Sequence, residues 1–151
     1  MTAKNIQEKL TIVQNYLKSG NPEKALCLLN KETHQPELAN ARGVCLMRLN
    51  RIDPAFEVVK EIVFQNFICM PITTPTLYKA NYLTALLLKG LVSTALDIEK
   101  TLNGDTHPYV TELKQAVRNW KQSLPWHQRL LCHINMYPNK PLPLPFEPGG
   151  I

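Results

Sequence analysis

Proline and glycine interrupt this chain at short, regular intervals: Gly20-Asn21-Pro22, Asp53-Pro54, Pro71 and Pro75, Gly90, Gly104 with Pro108, and Pro125. Neither residue is accommodated easily inside a helix or a central strand, so no regular element outruns the segment between two interruptions. Within those segments the apolar residues recur with helical rather than alternating spacing. Ile6, Leu10, Val13 and Leu17 stand four, three and four apart, the stripe of an amphipathic helix over about residues 4–18. The chain is thereby confined to short helices joined by tight turns, an all-α protein.

The turn chemistry pairs these helices. Ser19-Gly20 stops the first, and Asn21 as N-cap with Pro22 at the first helical position starts a second through Leu29. Glu37 to Leu49 reads as a helix, Asn50-Arg51-Ile52 as a turn, and Asp53-Pro54 as the cap of a helix through Val63. Leu77 to Lys89 is the next helix, Gly90 its stop, and Ser93 to Leu102 its returning partner. After Asn103-Gly104-Asp105, Pro108 opens a helix with Val110, Leu113, Val117, Trp120 and Leu124 on one stripe, and Pro125 opens a last one, Trp126 to about Met136. The expected layout is about eight helices in a domain over residues 1–136, as hairpins at about 4–31, 37–68 and 75–103 with a capping pair at 107–136, followed by a tail at 137–151.

Tyr16-Leu17-Lys18-Ser19-Gly20-Asn21-Pro22-Glu23-Lys24-Ala25 resembles the middle of a tetratricopeptide repeat, where an aromatic late in the first helix is followed by glycine, a short turn and alanine early in the second. Gly43 and Ala55 stand twelve residues apart, as in the family pattern, and Gly90 and Ala95 match in the third hairpin. Small residues are needed where paired helices approach most closely, which gives Ala25, Ala55 and Ala95 a common role. The repeats are degenerate. The alanines are separated by 30 and 40 residues, and Lys9, Ala39 and Lys79 stand where the family has an early aromatic. The resemblance implies a short right-handed α-solenoid of antiparallel hairpins, with Trp120 and Trp126 supplying bulk to the terminal cap.

It also implies a non-enzymatic adaptor or scaffold that binds a protein or peptide partner in a concave groove. By repeat register that groove is lined by Leu10, Gln14, Leu17, Asn40, Val44, Met47, Ala80, Thr84 and Leu87. Members that clamp a peptide carboxylate use Lys, Asn and Arg, whereas the corresponding positions here are Leu10, Gln14, Ala41, Leu77 and Asn81. The expected ligand is therefore a largely apolar peptide or helix, or the chain's own tail.

That tail carries Pro138, Pro141, Pro143, Pro145 and Pro148, which exclude a helix and favour an extended run. Two readings stand side by side: a disordered segment, or one whose Leu142, Leu144 and Phe146 pack on the chain's own helices or on a second copy. Its two bare Pro-x-x-Pro matches lack the basic residue that SH3 domains read.

Nothing in the sequence assembles a catalytic constellation, a phosphate loop or a metal site, so no enzyme activity, cofactor or metal is expected. His127, Cys132 and His133 stand five and six residues apart, off the i, i+4 spacing that chelates on a helix. His34 and His107 fall in turns, and the pairs Glu57/Glu61 and Asp97/Glu99 read as solvated faces. Cys27, Cys45, Cys69 and Cys132 form no Cys-x-x-Cys motif and read as small buried hydrophobes in a reducing cytoplasm. No leader or membrane span is expected.

Of the net charge of +5, nearly all resides after residue 113: Lys114, Arg118, Lys121, Arg129 and Lys140 precede Glu147 with no carboxylate between. Lys114, Arg118 and Lys121 share a helix face, a basic patch. It offers an alternative function, binding nucleic acid or another anionic surface, although the aromatics follow the buried period instead of interleaving with the cations.

Overall fold

A computed structural model describes residues 3–29, 35–65, 67–102, 104 and 106–151. Among them the structure is all-helical, with eight helices and no strand: α1 Ala3–Lys18, α2 Pro22–Leu29, α3 Pro36–Arg48, α4 Ile52–Phe64, α5 Thr76–Leu88, α6 Val92–Glu99, α7 Pro108–Ser123 and α8 Trp126–His133. None is long and apolar enough to cross a membrane.

Three of the helix-to-helix turns are built identically. Gly20, Asn50 and Gly90 have φ of 69°, 56° and 78°, the left-handed backbone that glycine and asparagine tolerate best. At each turn the next residue returns its N–H to a carbonyl five back: Asn21 to Tyr16, Arg51 to Leu46, Leu91 to Leu86. The left-handed residue itself donates to Leu17, Met47 or Leu87. This paired arrangement satisfies the orphan carbonyls of the first helix and reverses the chain. Asn21, Arg51 and Leu91 then accept the N–H of Ala25, Ala55 and Ala95, so each buried alanine occupies the same place in its returning helix.

Close approach explains the small residues. A Cβ built on Gly43 would lie 2.5 Å from Val59 Cγ1, which places the backbone of α3 almost against the side chains of α4. Each helix from α1 to α6 packs on its sequence neighbour, and the odd helices also touch one another, α1 on α3, α3 on α5 and α5 on α7. Val13, Leu38, Val59, Leu83, Leu96 and Leu113 fill the continuous core between them. α8 adds little to it, since none of its residues is buried.

Several sequence expectations change at this level. Asn21 does not cap α2 through its side chain, because its amide turns back to the Ser19 carbonyl and hydroxyl. Asp53 is not the cap of α4, which begins one residue earlier. It lies in the first turn and pairs with Lys89. α6 stops at Glu99, three residues short of Leu102, and α8 stops at His133, where Asn135 at φ 60° closes it. Trp120 is buried as expected, but Trp126 is 70% exposed and adds no bulk to the core. His34, residues 30–31 at the end of the expected first hairpin and residue 103 at the end of the third fall outside the described residues.

Candidate functional site

The inner row of odd helices buries polar side chains that an apolar core could not satisfy. Asn40 on α3 and Asn81 and Thr84 on α5 are shielded from solvent, and such groups are tolerated only with hydrogen-bond partners. The two asparagines find theirs in the Pro-rich segment, which leaves α8, crosses α7 and lies extended in the groove between α1, α3, α5 and α7, while Thr84 bonds the Ala80 carbonyl and the Tyr109 hydroxyl. Of the two readings left open for this segment, docking on the chain's own helices is the one observed.

The docking begins at Trp120, whose indole Nε1 donates to the Pro141 carbonyl at 3.1 Å, and at Leu142, which is buried. Phe146 then meets the Tyr109 ring edge-to-face, with centroids 5.6 Å apart. Beyond it the backbone is held residue by residue. Asn81 grips both polar groups of Gly150: its Oδ1 accepts the Gly150 N–H at 2.9 Å while its Nδ2 donates to the Gly150 oxygen at 2.8 Å. The same Nδ2 reaches Asn40 Oδ1 at 2.7 Å, and Asn40 Nδ2 makes a longer bond of 3.4 Å to the Gly150 oxygen. Gln14 Nε2 donates to the Ile151 oxygen at 3.1 Å, and Arg48 spreads donors over the Pro148, Gly149 and Leu17 carbonyls at 3.3–3.4 Å.

Tyr109 completes the grip through a directional relay. The Gly149 N–H donates to the Tyr109 hydroxyl at 2.8 Å, and Thr84 Oγ1 donates to the Ala80 carbonyl. The hydroxyl of Tyr109 is therefore left to donate to Thr84 Oγ1, its other neighbour. Burial raises the Tyr109 pKa, opposed in part by the Thr84 and Gly149 hydrogen bonds.

Only glycine fits at the two innermost positions. Gly149 has φ 85°, and a Cβ there would stand 2.8–2.9 Å from Val44 and Met47. A Cβ on Gly150 would lie 2.9 Å from Tyr109 Cβ and Cγ and 3.0 Å from Leu77. Beside Ile151 a shallow cavity of about 420 Å³ remains open, bordered by Gln14, Leu17, Arg48, His107 and Phe146.

Of the groove residues expected from repeat register, Gln14, Asn40, Val44 and Met47 converge on this segment, Thr84 reaches it only through Tyr109, and Leu17 borders the cavity beside it. Ala80 and Leu87 are buried in the core, and Leu10 is half-buried against it. Sequence reasoning missed Arg48 and Tyr109. Arg48 stands one helical turn beyond Val44 and carried that signal, whereas Tyr109 belongs to α7, outside the three hairpins on which the expected register rests. Asn81 stands at one of the positions compared with a carboxylate clamp and outside the expected groove lining, yet it bonds Asn40 and both polar groups of Gly150.

The remaining candidates lie elsewhere. Of the cysteines only Cys45 is buried, its pKa raised to about 12 by that burial. Cys27 and Cys69 are exposed and Cys132 is half-buried, contrary to their reading as core hydrophobes. His107 caps α7 by accepting the Tyr109 N–H at its Nδ1. Among the described residues no group of three or more His, Cys, Asp or Glu could hold a metal. Lys114, Arg118 and Lys121 line a separate cleft of about 490 Å³ between α7 and α8. Compared with family models, curated proteins and solved structures, the chain finds no match.

Proposed function

We propose that this protein is a non-enzymatic interaction module, a short tetratricopeptide-like solenoid that binds an extended, largely apolar peptide in the groove of its odd helices, with residues 146–151 as the resident occupant. The observation that carries the reading is the two-point grip of Asn81 on the Gly150 backbone. Main-chain recognition of this kind gives affinity without demanding a particular side chain, as when a peptide adds to a sheet edge. It favours an extended ligand over a helix, whose backbone groups are already used internally.

Three further features agree with it. The turns at Gly20, Asn50 and Gly90 repeat one geometry, as stacked hairpins require. Small residues are demanded where the ligand backbone runs against Val44, Met47 and Tyr109. The cavity beside Ile151 leaves room for a ligand larger than the resident segment.

The test uses the full chain with its tail unseated by Gly149→Ala and Gly150→Ala, titrated with a synthetic peptide matching residues 142–151. The variant is expected to bind the peptide while the parent chain, already occupied, binds it at least about tenfold more weakly. Adding Asn81→Ala to the variant should abolish binding. A variant that keeps its helical circular dichroism yet takes up no peptide overturns the proposal.

A further inference from the structure

The last helix presents an apolar face that the fold leaves uncovered. Trp126, Leu130 and Ile134 are 70%, 65% and 64% exposed, and at about 100° per residue they fall within one arc of roughly 80°. Leu131 widens the arc, and Met136, just beyond the helix, is also exposed. The opposite side of α8 carries Gln128 and Cys132, which are half-buried towards the fold. Large apolar side chains clustered on one exposed helix face mark a docking surface, whereas scattered ones do not.

Charge tells what docks there. Arg129 and His133 flank the apolar arc and line the cleft between α7 and α8, whose far wall holds Lys114, Arg118 and Lys121, with Lys100 at its end. The cleft contains one carboxylate, Glu99, 3.6 Å from Lys121, and Lys100 is paired with Asp97 at 2.7 Å. Lys114, Arg118 and Arg129 have no ion-pair partner among the described residues. An exposed Trp and Leu face beside unneutralised Lys and Arg is the composition of a helix that lies in a bilayer interface, its apolar side among the acyl chains and its cations at anionic headgroups.

We infer that α8 and the adjoining cleft dock this protein onto an anionic phospholipid surface. The Trp126, Leu130 and Ile134 face enters the interface, and Lys114, Arg118 and Arg129 meet lipid phosphates and carboxylates. A nucleic acid fits the cations but leaves the apolar face in water. A second copy would cover the apolar face but bring the same cations together, a repulsion that disfavours the pairing.

The experiment is co-sedimentation of the full chain with phosphatidylcholine vesicles and with mixed phosphatidylcholine and phosphatidylserine vesicles, at low and high salt, with tryptophan emission recorded in parallel. Binding is expected only to the mixed vesicles and to weaken with salt. The emission should shift to the blue through Trp126, since Trp120 is already buried. Lys114→Glu with Arg118→Glu should lower binding on the order of tenfold or more. Leu130→Ala with Ile134→Ala, both at exposed positions and so compatible with folding, should lower binding and remove the blue shift. Failure of the parent chain to bind mixed vesicles at low salt overturns the inference. So does binding that Leu130→Ala/Ile134→Ala leaves unchanged, or concentration-dependent dimerisation that this same pair abolishes. None of these results bears on the peptide groove, whose contacts on α7 are made by Tyr109 and Trp120 and not by Lys114 or Arg118.

Discussion

Asn81 shows how one side chain joins stability to a recognition chemistry. Its amide has an acceptor and a donor about as far apart as a peptide's own pair, so it can hold the Gly150 N–H and oxygen together. Asn81→Ala leaves the Gly150 N–H buried without a partner and the Gly150 oxygen with only the longer Asn40 bond, and is expected to cost about 1–3 kcal/mol, read as a lower urea midpoint. It should also speed hydrogen exchange at Gly150. Tyr109 makes the same region sensitive to alkali. Its folded pKa lies above the unfolded value, so the stability it contributes is complete below the unfolded pKa of about 10 and is lost as pH rises through the folded value. Tyr78 and Tyr82 are raised as well by burial, so the informative quantity is the difference between the parent chain and Tyr109→Phe. That difference in urea midpoint should shrink between pH 9 and 12.

At the scale of elements, helix pairing depends on contacts that propensity alone would penalise. Gly43 sits inside α3, where glycine costs about 1 kcal/mol relative to alanine. Its absent Cβ is what lets Val59 approach. Gly43→Ala should therefore destabilise, by about 1–3 kcal/mol, despite the better helix former it introduces. Val59→Ala in the same chain should recover part of the loss, and a double-mutant cycle of urea unfolding measures the coupling. If Gly43→Ala stabilises the chain, the close approach of α3 and α4 is not the reason for the glycine.

For the whole molecule, the tail is a structural member and not an appendage. It contacts α7, α3, α5 and α1, so it ties helices distant in sequence into one unit. Deleting residues 140–151 removes the buried Leu142, the acceptor of the Trp120 indole and the partners of Asn40, Asn81 and Tyr109. A loss of about 2–4 kcal/mol is expected, seen as a lower midpoint of a single urea transition. The groove residues then face water, which can satisfy the amides but not cover Val44 and Met47.

The helices and turns were legible from residues alone because their causes are local: steric limits on proline, the left-handed backbone of Gly20, Asn50 and Gly90, and apolar spacing within each segment. Gln14, Asn40, Val44 and Met47, which the family resemblance places in a groove, are among the residues that touch the tail. Tertiary structure alone decided where the tail goes. A proline-rich run lacks the N–H groups that would give it a local pattern, and its anchor joins residues 69 apart, Asn81 and Gly150. It also decided that Trp126 is left uncovered by the fold. Its helical spacing resembles that of a core stripe, but a stripe is buried only when another element lies across it, and among the described residues none lies across that face of α8.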